Sequence, residues 1–111
     1  MKFLLLLLTS LITAAAAEIR VAAAASLGDV VAEIAAAYEK AHGTQVVPVF
    51  AGSNVLARQI REGAPLDVFI PADEATMKQV EQAGLVDEVT PLLTNSLVVV
   101  VPVDSPATLR A

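Results

Sequence analysis

The chain is expected to fold as α/β, with a mostly parallel, doubly wound sheet that is incomplete at the C-terminus. Three observations point there. Short apolar runs of strand length alternate with longer segments whose apolar residues recur at helical spacing, the pattern of βαβ units. Two junctions repeat one arrangement of apolar strand, small residues, serine and helix, first at Ala24-Ala25-Ser26-Leu27 and again at Ala51-Gly52-Ser53-Asn54. Residues 95–101 end in four valines, the continuous apolar run of a strand covered on both faces.

Residues 1–17 read as a secretory signal peptide. Lys2 supplies the charged start, residues 3–12 the apolar core, and Ala15-Ala16-Ala17 the small-residue cleavage pattern, so the mature chain is expected to begin at Glu18. The apolar core is too short for a transmembrane span. With no cysteine at the cleavage point there is no site for a lipid anchor, and the product is expected to be exported and soluble, in a bacterial periplasm.

The first strand is expected over residues 18–24, apolar on both faces apart from Arg20. Leu27, Val30, Val31, Ile34, Ala35, Tyr38 and Ala41 then mark the inner face of a helix, with Asp29, Glu33, Glu39 and Lys40 outside and Gly43 as its stop. Ser26 fits its N-cap, with Asp29 resembling a capping box. A second strand follows over 45–51, placed at an edge by Pro48. A shorter helix over 53–62 carries Val55, Leu56 and Ile60 and is closed by Gly63 and Pro65. The third strand is Asp67-Val68-Phe69-Ile70. The third helix covers 73–83, with Asp73 as N-cap, Ala75, Met77, Val80 and Ala83 inward, and Gly84 after it. Residues 85–93 look irregular, and 95–101 form a fourth strand.

After Pro102 nine residues remain, too few for the helix and strand that would cover that last strand. Either another chain buries that strand or the sequence is a fragment; the fragment is the favoured reading, with residues 18–111 expected to be one lobe cut short at its C-terminus.

Composition narrows the function. The formal charge is −5 and becomes −6 once the single positive charge of Lys2 leaves with the leader. No basic patch is present to meet the phosphates of nucleic acid, although neutral amides and hydroxyls can still hold a small anion. No cysteine is present, which excludes disulfides and thiol catalysis. His42 is the one histidine and sits at a helix end, where a solvated imidazole is expected. No dinucleotide, P-loop or nucleophile-elbow motif occurs. Asp73 and Glu74 are adjacent and diverge, so they form no acid/base pair, and Arg58 and Arg61 read as solvated. No catalytic residue is expected, and the chain is not read as an enzyme.

The candidate site is the pair Ser26 and Ser53. Each serine alone reads as a helix cap worth about 1 kcal/mol. Their repetition after successive strands places both above the carboxyl ends of a parallel sheet, where doubly wound folds bind ligands. The first amides of the two helices, with Ala25 and Asn54 beside the serines, add further donors. A helix terminus contributes about 0.3 to 1 kcal/mol and a hydrogen bond to a charged group about 1.5 to 3, so the bonds would set the affinity. A site built only of donors favours an oxyanion with no proton of its own, such as sulfate, molybdate or tungstate. Asp29 and Asp67 could accept a proton but read as structural.

Four linked stretches carry a family resemblance: Ala23-Ala24-Ala25-Ser26-Leu27; Phe50-Ala51-Gly52-Ser53 running into Leu56-Ala57-Arg58-Gln59-Ile60; Gly63-Ala64-Pro65-Leu66-Asp67-Val68-Phe69-Ile70-Pro71-Ala72-Asp73; and Asn95-Ser96-Leu97-Val98-Val99-Val100. In this order and spacing they resemble the periplasmic molybdate-binding proteins of molybdate import systems. The resemblance implies a type 2 periplasmic-binding-protein-like fold of two α/β lobes joined by a hinge, closing on molybdate or tungstate and delivering it to an ATP-driven inner-membrane permease. It implies that Ser26 and Ser53 hydrogen-bond the oxyanion, with no direct metal ligand, no cofactor and a monomeric protein. Relatives often carry serines where this chain has Gly52 and Asn54. The family's remaining ligands lie in its second half, and Tyr38, on the inner face of the first helix, is not the family's ligand tyrosine. Three missing donors would remove roughly 4.5 to 9 kcal/mol against about 8 for a micromolar site, so these 111 residues alone are expected to bind weakly or be a non-functional fragment. Competing readings are a binding protein for sulfate or thiosulfate, a deaminase on the same fold, which would need a cysteine, and a regulatory domain, which would lack a leader.

Overall fold

Four consecutive small apolar residues decide where the core lies. In the computed structural model, which describes residues 16–106, strand β1 (Glu18–Ala24) buries Val21, Ala22, Ala23 and Ala24. It is the centre of a three-stranded parallel sheet with β2 (Gln45–Ala51) on one side and β3 (Val68–Ile70) on the other, in the order β2-β1-β3. Alanine side chains on a central strand let helices approach closely from either face.

Helix α1 (Gly28–His42) links β1 to β2 and packs on both, while α2 (Ser53–Arg61) returns past β1 and packs on β1 and on α3 (Glu74–Gln82). Parallel crossovers are right-handed almost without exception, so two connections running in opposite directions across β1 lie on opposite faces of the sheet. The doubly wound reading holds. Leu56 and Ala57 of α2 and Val80 of α3 fill the core, and Gly43 takes the left-handed conformation, φ 68°, that ends α1.

Edge placement of β2 follows from its register. The Val46 amide points away from β1 and donates to Glu39 Oε1 at 2.6 Å. Pro48 has the same parity, so its missing N–H falls on the outer edge, where no ladder bond is lost. On the other side the Asp67 amide donates to the Arg20 carbonyl at 2.9 Å, and the Arg20 amide donates to Asp67 Oδ2 at 2.8 Å. Asp67 is thus a structural residue, as expected.

Several expectations are corrected. Ser26 is not the N-cap of α1: the chain first tightens into a 3-10 turn over Ala25–Leu27, and α1 starts at Gly28 with no side-chain cap, so Ser26 and Asp29 form no capping box. The inner face of α1 is only partly covered, since Ala35 is buried while Val30, Ile34 and Tyr38 are exposed. Tyr38 instead stacks on His42, with ring centroids 4.3 Å apart. On α3, Ala75 and Ala83 are exposed. Residues 95–101 form no strand: with no partner along their edges among the described residues, Leu97, Val98, Val99 and Val100 stand largely in solvent. Residues 85–93 are irregular, as expected. The leader assignment falls on residues 1–15, outside the described residues, apart from Ala16 and Ala17.

Candidate functional site

Strand order 2-1-3 creates a topological switch point between β1 and β3, where the chain leaves neighbouring strands in opposite directions and their carboxyl ends open a crevice. An open depression of about 750 Å³ lies there, lined by Ser26 and Leu27 after β1, by Ile70 at the end of β3 with Pro71 and Ala72 after it, and by Asp73 at the start of α3. The irregular segment from Val89 to Asn95 forms its far wall. A smaller depression, about 300 Å³, beside Arg61, Gln79, Gln82 and Ala83 contains no candidate residue.

Ser53 is the first residue of α2, with Gly52 at the cap position and no side-chain cap bond. Its Oγ does not close its own helix. It accepts a hydrogen bond of 2.9 Å from the Ala72 amide, tying the start of α2 to the turn after β3. A hydroxyl has one proton to donate besides its acceptor lone pairs. With a lone pair engaged by Ala72, that proton has no acceptor among the described residues and can be offered to an anion. Ser26 is exposed on the rim of the depression and makes no side-chain hydrogen bond among the described residues.

Among the weaker candidates, Ala25 opens the 3-10 turn and Asn54 is the second residue of α2. A helix start leaves its first amides without intrahelical acceptors, so the Ser53 and Asn54 amides are available. The exposed Asn54 side chain folds back on its own helix start, its Oδ1 accepting from the Val55 amide at 3.0 Å. Of the four candidate residues Ser26 alone lines the depression; Ala25, Ser53 and Asn54 do not, and Ser53 is joined to it through the Ala72 amide.

The charged residues lining the crevice are Asp73, Glu74, Lys78 and Glu81, and the Asp73 carboxylate is engaged within its own helix start. Asp73 caps α3 by accepting from the Thr76 amide at 2.7 Å and the Thr76 hydroxyl at 2.8 Å. These bonds, the backbone one first, hold its carboxyl below the ordinary aspartate range, against the opposing effect of burial. Arg61 lies about 12 Å along the helix axis from Ser53, and both Arg58 and Arg61 are exposed, as expected. Among the described residues no cluster of histidine or carboxylate side chains could hold a metal ion.

Sequence reasoning missed the Ala72 amide. The signal was present in Pro71-Ala72-Asp73: proline has no N–H and Asp73 begins the next helix, which makes Ala72 the donor available directly after β3.

Comparison with known proteins is consistent with this geometry. A molybdate-binding protein of Escherichia coli is 47% identical over 87 residues, covering 77% of this chain and 34% of the relative. One from Haemophilus influenzae is 39% identical over 95 residues, covering 83% of this chain and 37% of the relative. The chain thus spans about a third of the length of these curated relatives. The solved periplasmic molybdate-binding protein of Azotobacter vinelandii superposes with a TM-score of 0.57 at 29% identity, over 60% of this chain and 29% of that one. The family model for bacterial extracellular solute-binding proteins matches residues 19–111, nearly everything after the leader-like segment, and the chain belongs to that family.

Proposed function

We propose that this chain supplies the first lobe, residues 18–111, of an extracytoplasmic binding protein that captures molybdate or tungstate and delivers it to an ATP-driven inner-membrane permease. In this reading residues 1–17 direct export to the periplasm and are removed after Ala17. The protein performs no catalysis, needs no cofactor, and works as a monomer. Ser26 and Ser53 donate to the oxyanion oxygens, assisted by the Ala25 and Asn54 amides, and no residue ligates the metal directly.

The observation that carries the proposal is the convergence of Ser26 and Ala72, whose amide positions Ser53, on one depression at the switch point. The names of the relatives favour molybdate over sulfate as the ion. A hydroxyl whose lone pair is already engaged acts as a donor, which suits an anion that has no proton to give.

Titration calorimetry tests this with molybdate, tungstate, sulfate and phosphate. The titrated proteins are the mature chain and a chimera joining it to the remaining part of the Escherichia coli relative. The chimera is expected to bind molybdate and tungstate tightly, and the short chain weakly. Changing Ser26→Ala together with Ser53→Ala should lower the chimera's affinity by roughly 10²- to 10⁴-fold, the loss of two hydrogen bonds to a charged group. Unchanged affinity in the double variant would remove both serines from the site, and a chimera that prefers sulfate would redirect the function to that anion.

A further inference from the structure

The β1–β2 ladder extends one residue further back than β1 itself. The carbonyl of Ala17 accepts a hydrogen bond of 3.1 Å from the Gln45 amide, ahead of the first registered pair, Glu18 with Gln45. Ala17 is also the residue after which the leader is read to end, so the oxygen in this bond belongs to the scissile peptide. We infer that pairing of β2 onto β1 and removal of the leader are mutually exclusive, so that the Ala17–Glu18 bond is a processing site open only before β2 docks. The inference rests on the signal-peptide reading of residues 1–17.

The geometry supports this through strand parity. Successive residues of a strand point their N–H and C=O groups to opposite edges. Arg20 faces β3, since its amide and carbonyl are both engaged by Asp67. Ala17, three residues earlier, faces β2. The scissile oxygen therefore lies on the edge that β2 covers, and the Val46 amide next along β2 is pinned to Glu39 of α1 at 2.6 Å. That edge is held from both sides.

Peptide hydrolysis requires that oxygen elsewhere. A peptidase binds its substrate as an added strand and draws the scissile oxygen into donors placed for the tetrahedral intermediate. Water is consumed as the bond between the Ala17 carbonyl carbon and the Glu18 nitrogen breaks. The carboxylate departs on the leader, and the new amino group stays on Glu18. With Gln45 and β2 in place, neither the added strand nor the donors can reach the covered edge. The exclusion is one-way, because the mature chain lacks Ala17 and keeps the Glu18–Gln45 register.

The full 111-residue precursor, diluted from urea and challenged with purified signal peptidase after increasing delays, tests the inference. Cleavage at Ala17–Glu18 is expected to slow by at least about fivefold, the factor of one net backbone hydrogen bond, with the time course of sheet formation followed by circular dichroism. Gln45→Pro removes the donor at a first strand position, where proline is tolerated, and should abolish the slowing. Equal cleavage rates at every delay in the unmodified precursor would overturn the inference, whether or not the proline variant folds. Cleavage at no delay, beside a control substrate that is cut, would overturn the signal-peptide reading and the inference with it. Cleavage at another bond would overturn the inference alone.

Discussion

At Asp73 a single carboxylate serves two donors of one residue, the Thr76 amide and the Thr76 hydroxyl. Both bonds favour the ionised form and lower its pKa. A carboxyl with a depressed folded-state pKa contributes stability that is present above its unfolded value, about 3.9, and is lost as pH falls through the lower folded value. Asp73→Ala is expected to cost about 1 kcal/mol at neutral pH, as for other N-caps, with the difference shrinking as acid protonates the parent; urea midpoints of both proteins across that range check it. The two serines should separate in the same assay. Ser26→Ala leaves no partner behind and should shift stability by less than about 0.5 kcal/mol, whereas Ser53→Ala strips the Ala72 amide of its acceptor and should cost about 1 kcal/mol. Equal costs would mean that Ser26 has a structural partner after all.

Among the elements, α2 shows best why much of the fold was legible in the sequence. Val55, Leu56 and Ile60 at helical spacing marked its inner face, and Leu56 is fully buried in a helix that packs on β1 and on α3. Leu56→Ala is therefore expected to cost about 2 to 5 kcal/mol, read from the urea midpoint, and a cost below 1 would mean that α2 is not anchored through that side chain. The Gly43 stop and the Asp73 cap were equally readable because each depends on residues close in sequence, while the parallel sheet and the edge position of Pro48 were readable from the alternation of strand and helix patterns and from proline's missing N–H. Three features were not. Whether Ser26 caps α1 or sits in a 3-10 turn depends on small differences between neighbouring backbone conformations. The Ser53–Ala72 bond joins residues 19 apart in sequence, so the switch-point site was readable in its two serines but not in the contact that positions one of them. The valine run had the composition of a strand, yet a strand also needs a neighbour to pair with, and composition cannot supply one.

For the molecule as a whole, that valine run has consequences beyond its own conformation. Leu97, Val98, Val99 and Val100 are 103%, 77%, 71% and 85% exposed, next to Leu92 and Leu93, also exposed. A segment of six or seven residues with high β-propensity, no charge and no proline can pair with copies of itself; residues 95–101 meet each condition. The β3 strand is the outer strand of the sheet on that side and only three residues long, which offers a growing assembly a short template. The net charge, −5 for the 111 residues and −6 without Lys2, opposes association only weakly, because charges farther apart than about 8 Å are largely screened at physiological salt. The mature chain is therefore expected to associate as its concentration rises, and to unfold by a broad thermal transition below the roughly 45 to 65 °C typical of intact mesophile domains. Val99→Lys puts a charge in the middle of the run, the device by which natural sequences guard such segments. It should raise the concentration at which light scattering appears while leaving the circular dichroism of the α/β lobe unchanged. Scattering that sets in at the same concentration in both proteins would exclude residues 95–101 as the contact and shift attention to the exposed face of α1 formed by Val30, Ile34 and Tyr38.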